Sequence, residues 1–307
     1  MRQRPILWFY VIAVAIVIII IPIFLFSGAQ EGLEVAIDKA GIEFNTDLVT
    51  AFRVVAADIA ALPGVLLAIA QVASPDIAVL IVVLIAFGTK GLIELKKRFR
   101  FWAADIPWQQ ALRIWGLCIA VFTLMNLATA GLNSLMLAEA DFVWDVNFLS
   151  INFVISFLIA MFLDAGAVFE ENGWRGFVLP RLQTRFTPLI ASIILGLLWA
   201  FWHLPVKFDI ILDYGFVNFL LIFGVITIKF VFLTIIMTYF FNKVGQTTII
   251  AIMMHGLSND SVRLGGRILS DTSQTYLITE MNLLIPMLVV AIGLIMMSKG
   301  QLGYEAE

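Results

Sequence analysis

Residues 6–28, ILWFYVIAVAIVIIIIPIFLFSG, decide the fold class. An α-helix needs roughly 20 apolar residues to cross the ~30 Å hydrocarbon core of a bilayer, and this stretch meets that length without a charged residue. It is also longer than the apolar centre of a cleaved signal peptide, about 7–15 residues. Ser27, Gly28 and Ala29 have the small side chains of a cleavage site, yet the expected state is an uncleaved first span. Working outward, further apolar windows lie at 51–70, 77–95, 110–133, 149–171, 188–204, 216–241, 247–262 and 280–298. The sequence therefore predicts an all-α, polytopic transmembrane bundle of about eight spans, with a range of seven to nine.

Composition agrees with that class. Of 307 residues, 62% are hydrophobic and 13% charged, about half the charge of a soluble domain, and the mean hydropathy is +1.01. A formal charge of -3 and the lack of a long basic tract argue against a nucleic-acid partner. The single cysteine, Cys118, lies in an apolar run, which leaves no intrachain disulfide and no cysteine-based metal cluster.

Two regions follow. Residues 1–105 form an N-terminal transmembrane region interrupted by a polar segment at 29–50. That segment carries Glu31, Glu34, Asp38, Glu43 and Asp47 and is expected to be aqueous, with an interfacial helix. Residues 106–307 form a second transmembrane core. The run KKRFR at 96–100 belongs in the cytoplasm, because lysine and arginine concentrate on that side. Counting forward puts 134–148 and 205–215 on the far side, and 181–187, Lys243 and Lys299 inside. Arg263 and Arg267 fall on the far side, against the trend. Counting backward through three separate spans would put Arg2 and Arg4 outside, so one early window is expected not to cross.

Chemistry gathers in the second region. In FEENGWRGFVLP (169–180), Glu171 and Arg175 are four apart and share a helix face, so they can pair. Glu170 points about 100° away, on the side of Trp174, and is left free to act. Both glutamates could instead be boundary charges beside lipid headgroups. Only two histidines occur, His203 in LLWAFWHLP (197–205) and His255 in IAIMMHGLSND (250–260). A lone histidine on an apolar helix is usually a packing residue, but these two lie beside the other unusual groups. His255 and Asn259 are four apart and address one cavity, with Gly256 leaving room for a close approach. A helical run from Glu170 to about 186, returning from Pro188 to His203, has two arms of roughly 24 Å each at 1.5 Å per residue. Glu170, His203, His255 and Asn259 are thus expected at one internal site, reached from the cytoplasmic side. Such a set can activate water and stabilise an oxyanion. Equally, Glu170, His203 and His255 could ligate zinc, with water in the fourth position. No HExxH, GxSxG, phosphate-binding loop or dinucleotide glycine pattern is present.

Glu170-Glu171-x-x-x-Arg175, the aromatic-x-x-x-His motif from Trp199 to His203, and His255-x-x-x-Asn259 resemble the three motifs of the CAAX-protease and bacteriocin-processing family. That family of intramembrane proteases includes Rce1-like prenyl endopeptidases and Abi-type proteins. The resemblance covers about 145–262, with motif order and spacing intact; Trp199 replaces the usual phenylalanine, and residues 1–95 have no counterpart. It implies an Rce1-like catalytic core with Glu170 as the water-activating base and His203 as its partner. His255 and Asn259 become the oxyanion pair, while Glu171, Arg175 and Trp199 support the site. It favours a glutamate mechanism without a cofactor, zinc remaining the alternative. The implied substrate is a peptide or membrane-protein segment, lipidated or not, and the short polar tail points to a prokaryotic plasma membrane.

Two other classes stay open. Buried carboxylates and histidines also serve proton-coupled transporters, although no internal repeat is visible. A noncatalytic immunity or scaffold protein could retain an inherited site. Asp58 reads as a polar break or interface contact, and Asp164 as a further residue lining the cavity.

Overall fold

In the computed structural model, which describes residues 1–42, 45–260 and 262–304, the first window forms α1 (Pro5–Phe26). Pro5 opens it, where a missing N–H leaves nothing unsatisfied. Only Phe9, Ala13 and Val17 of this helix are buried. Their four-residue spacing is one narrow stripe, and the rest of α1 presents apolar side chains outward.

The expected polar segment contains α2 (Ala29–Ala40), followed by α3 (Leu48–Ala57) and α4 (Leu62–Val72). Glu43 lies outside the described residues. Leu33 and Ala36 of α2 pack with Val54, Ala61 and Val65 into a small satellite core. Asp47 caps α3 by accepting from Thr50 N at 2.8 Å. Asp58 sits between α3 and α4, where it accepts from Lys39 Nζ at 2.9 Å and Ala60 N at 3.0 Å. Gly64 allows the backbones of α2 and α4 to touch, since a Cβ there would lie 2.4 Å from Ala29 O. Window 51–70 is therefore two short helices around a polar break. At 1.5 Å per residue neither exceeds roughly 17 Å, too short for the bilayer core.

The chain returns through α5 (Ser74–Arg98), bent at Gly88, whose φ of 62° suits glycine. After α6 (Trp108–Met136), a two-residue strand β1 (Phe142–Val143) leads to α7 (Ile151–Leu163). The chain then breaks at Asp164 and resumes as α8 (Ala165–Gly173). A π-turn at Trp174–Val178 joins α8 to α9 (Leu179–Gln183). Pro180, which has no N–H to give to the preceding turn, lies just beyond it. The remainder is α10 (Pro188–Trp202), α11 (Asp209–Tyr214), α12 (Phe216–Lys243), α13 (Thr248–Asn259), strand β2 (Arg267–Ile268) and α14 (Ser273–Ser298). The two strands pair antiparallel across the loops.

The protein is a multi-pass helical bundle, but the expectation of seven to nine spans is not met. Among the described residues, α1, α5, α6, α12 and α14 are long and apolar enough to cross a membrane. A sixth span results if α10 and the 206–214 segment, bent by 60°, count as one. Window 149–171 is split at Asp164, and 247–262 holds only the 12-residue α13.

The main core ties the two halves of the chain together. Phe9 of α1 meets Trp174 edge to face at 5.1 Å, and Trp174 meets Trp202 at 6.1 Å. Asp76, in the first turn of α5, accepts from Asn172 Nδ2 at 2.7 Å and Gly173 N at 2.8 Å. A Cβ on Gly173 would meet Phe9 and Pro75 at 2.9 Å.

The loops sort into two ends. Arg98 donates to Gln246 Oε1 at 2.8 Å, Gln246 donates to Gln183, and Ala103 N donates to Val244 O. Arg2 and Arg4 share a surface hollow with Arg181 and Arg185. The KKRFR run, 181–187, Lys243 and the N-terminus thus share one end, called here the basic end. With α3 and α4 not crossing, α1 and α5 return the chain to that end, which removes the conflict over Arg2 and Arg4. At the other end, Trp144 Nε1 donates to Leu264 O, Leu269 N to Asp141 O, and Tyr214 to Asp271.

Candidate active site

The π-turn and α8 carry the first motif into the bundle. Glu170 is 3% exposed and accepts through Oε2 from two indoles, Trp199 Nε1 at 2.9 Å and Trp174 Nε1 at 3.3 Å. Its Oε1 faces the other way, 3.3 Å from where a Cβ on Gly166 would stand, and His255 Nε2 is 3.7 Å from the same point. Glycine at 166 keeps that space open, so one glutamate oxygen is anchored and the other borders the cavity.

Glu171 has a different neighbourhood. Its Oε1 accepts from Arg175 Nη1 at 2.8 Å and His255 Nδ1 at 2.9 Å. Glu171 and Arg175 are both fully buried. Arg175 also donates through Nη2 to Thr234 Oγ1 and Met237 Sδ, and its guanidinium lies over Trp199 at 4.1 Å. A carboxylate can only accept, so His255 Nδ1 carries the proton in this contact and Nε2 faces the cavity. The same argument applies to His203, whose Nδ1 lies 2.8 Å from Trp199 O. A carbonyl accepts, so Nδ1 donates and Nε2 remains available. Phe230 and Trp202 fix the His203 ring at 4.5 and 4.6 Å between centroids.

Trp199 links these parts. It bonds Glu170, receives His203 on its carbonyl, lies under Arg175 and meets the His255 ring at 5.0 Å. Asn259, at the end of α13, donates Nδ2 to Asp164 Oδ1 at 3.0 Å. Because Asp164 accepts, the Asn259 amide is held nitrogen-first, with a second N–H free for another acceptor. Asp164 is itself an N-cap, accepting from Ala167 N at 2.8 Å, and its Oδ2 accepts from Thr46 Oγ1 at 3.0 Å. Residues 46 and 47 also pair with the 164–165 backbone. The expectation that Asp164 lines the cavity is thus replaced: it is fully buried behind the wall and orients Asn259.

Glu170, His203, His255 and Asn259 all line one cavity of about 470 Å³. Leu33, Ala51, Val65 and Ile69 from α2–α4 supply an apolar wall, and Asn45–Asp47 edge it. The cavity does not open toward the basic end. His203 ends the 15-residue α10 that starts at the basic end, a rise of roughly 22 Å. The cavity continues outward from there through Val206, Lys207 and Asn45. Below Glu170, Trp174, Arg175, Phe177, Val178 and Leu179 are completely buried and fill the path to the basic end.

Besides apolar and amide-bearing lining residues, three charged ones were not singled out in the sequence: Lys207, Lys229 and Glu280. Lys229 pairs with Glu280, and Lys207 donates to Tyr276 at 3.2 Å. A lysine within the apolar run 216–241 was the available signal, because charge inside a span usually has a purpose.

The geometry sits within a stretch that other proteins share. Residues 148–260 match the model of a family described as type II CAAX prenyl endopeptidase Rce1-like. The motif-bearing stretch is Rce1-like. A CAAX prenyl protease 2 of Methanococcus maripaludis is 32% identical over 130 residues, 41% of this chain and 46% of that protein. The match thus spans less than half the length of that relative. The Rce1-like stretch contributes Glu170, Glu171, Arg175, Trp199, His203, His255 and Asn259, whereas α2–α4 lie outside it.

Among the described residues, no three His, Cys, Asp or Glu side chains cluster as a metal would require. His255 Nδ1 and His203 Nδ1 are committed to Glu171 and Trp199, and one Glu170 oxygen to two indoles, so His255 Nε2, His203 Nε2 and Glu170 Oε1 are the atoms that would meet a metal there.

Proposed function

We propose that the protein is a membrane-embedded endopeptidase that hydrolyses a peptide bond with water activated by Glu170. The observation carrying this reading is the division of Glu170, with Oε2 anchored by Trp199 and Trp174 and Oε1 at the cavity beside His255 Nε2. A general base must be held still yet reach its proton at hydrogen-bond distance. The two indoles supply the first condition and the cavity the second.

In this mechanism Oε1 of Glu170 takes a proton from water as the water oxygen attacks the carbonyl carbon. The carbonyl π electrons move to oxygen, forming a tetrahedral oxyanion. The free N–H of Asn259 donates to that oxyanion, and His255 does so when its Nε2 is protonated beside Glu171. His203 Nε2 accepts from and orients the attacking water. Collapse of the intermediate breaks the C–N bond, and the proton held by Glu170 passes to the departing amine nitrogen. The products are a carboxylic acid and an amine, and Glu170 is restored.

The Rce1-like match and the relative named CAAX prenyl protease 2 support this reaction class. The apolar wall from α2–α4 suits a hydrophobic peptide or membrane-protein segment, with or without a lipid. The setting we infer is a prokaryotic plasma membrane. The test is hydrolysis by purified protein in detergent, on a panel of prenylated and unprenylated peptides. Glu170→Gln keeps the shape, loses the base, and is expected to lower the rate by at least about 10²-fold. A strong chelator is expected to leave the wild type active. Undiminished cleavage by Glu170→Gln would refute this mechanism, and no cleavage of any peptide by the wild type would return transport to the front.

A further inference from the structure

The geometry points to a cavity that opens on the membrane face away from the cytoplasm, so that its substrate is a peptide segment presented from outside. This assignment rests on the peptidase reading for its substrate class, but its orientation stands on two independent features.

The first feature is charge. Arg2, Arg4, Lys96, Lys97, Arg98 and Arg100 gather at one end with Arg181, Arg185 and Lys243, joined by the Arg98–Gln246–Gln183 contacts. These are short loops beside apolar helices, the setting in which lysine and arginine fix orientation. The opposite end holds Glu139, Asp141, Asp145, Asp209, Asp213 and Asp271, and fewer basic residues. The basic end is therefore cytoplasmic.

The second feature is the direction of the cavity. Asn45 lines both the cavity and a surface hollow formed by Asp145, Asn147, Ser150 and Arg263. Glu280 likewise borders both the cavity and a hollow containing Asp271 and Thr272. Both hollows belong to the acidic end. No residue of the basic run lines the cavity. The way down is filled instead by the buried Trp174–Leu179 segment and the Glu171–Arg175 pair. A route from the cytoplasm would require breaking that dry, ion-paired layer, whereas the outer route needs only passage beside Asn45 and Lys207.

Orientation can be read with thiols, because Cys118 is the sole cysteine and is buried in α6. In a Cys118→Ala background of the full chain, Asp145→Cys, Asn45→Cys and Lys97→Cys would be made singly. Spheroplasts of an expressing bacterium would be treated with a membrane-impermeant biotin maleimide before and after lysis. The expected result is labelling of Asp145→Cys and Asn45→Cys in intact spheroplasts, and of Lys97→Cys only after lysis. Labelling of Lys97→Cys in intact spheroplasts would overturn the orientation, as would mixed labelling at both ends. Labelling of Asp145→Cys with Asn45→Cys protected until lysis would overturn the opening. If the Cys118→Ala background does not accumulate, the same substitutions would be made with Cys118 retained, and wild type would supply its background labelling. Labelling reports orientation whether or not a peptide is cleaved, so its failure is distinct from failure of Glu170→Gln to lose activity.

Discussion

The Glu171–Arg175 pair offers the sharpest test of how the site is supported. Arg175→Met removes a fully buried guanidinium and leaves the equally buried Glu171 with only His255 on Oε1. Glu171 Oε2 already has no hydrogen-bond partner among the described residues. Breaking one side of a buried ion pair is destabilising by about 3–5 kcal/mol, and the contact with the Trp199 face at 4.1 Å adds to the loss. Native stabilities lie near ~5–15 kcal/mol, so about a fifth or more of the total is at stake. The expected fall in melting temperature, followed by tryptophan fluorescence in detergent, is roughly 5–15 °C. Glu171→Gln/Arg175→Met removes both charges together and is expected to recover part of that loss. The coupling energy should fall in the range of about 0.5–3 kcal/mol expected for residues in contact. Fully additive single and double variants would refute the pairing argument, as would an Arg175→Met protein melting within about 2 °C of wild type.

Asn259→Ala is expected to lower turnover by about 10²–10³-fold with little change in melting temperature, as loss of one oxyanion donor does elsewhere; steady-state rates on a cleaved peptide check it. Trp199→Phe removes the shorter of the two indole bonds to Glu170. A hydrogen bond to a charged group contributes about 1.5–3 kcal/mol, so turnover should fall roughly 10- to 100-fold while Trp174 retains its contact. Gly256→Ala would place a Cβ 1.9 Å from Ala160 O on α7. It is expected to destabilise the fold by at least the ~1–3 kcal/mol typical of overpacking, visible in thermal melts before any assay of chemistry.

Helix content and membrane character were legible because apolar length is a strong local signal. The span count was not. Windows 51–70 and 149–171 are apolar enough on average, but Asp58 and Asp164 each stop a helix by accepting backbone N–H bonds. An acidic residue within an apolar window reads the same from sequence whether it faces a cavity or caps a helix. The meeting of Glu170, His203, His255 and Asn259 around one cavity was accessible from helix arithmetic, since two arms of equal length return to equal depth. The second ligand of Glu171 was not accessible. Glu171 pairs with Arg175 within one helix turn, as spacing predicts, but its bond to His255 joins residues 84 apart. Which end of the bundle the cavity opens toward was not legible for a related reason: helix lengths give depth, whereas the filling below Glu170 depends on Phe9 and Pro75 packing from the N-terminal helices.

The apolar wall has a consequence for how such a protein can change. Leu33, Ala51, Val65 and Ile69 face the cavity from a part of the chain outside the Rce1-like stretch. Their helices are fastened to that stretch through backbone pairing at 46–47 and 164–165, which does not depend on most of the wall's side chains. The wall can therefore be recast in volume and shape while the reacting groups stay in register, much as a tool keeps its drive and changes its jaw. Substitutions that alter which segment fits should accumulate along α2–α4, and those that abolish the reaction should accumulate along α8, α10 and α13.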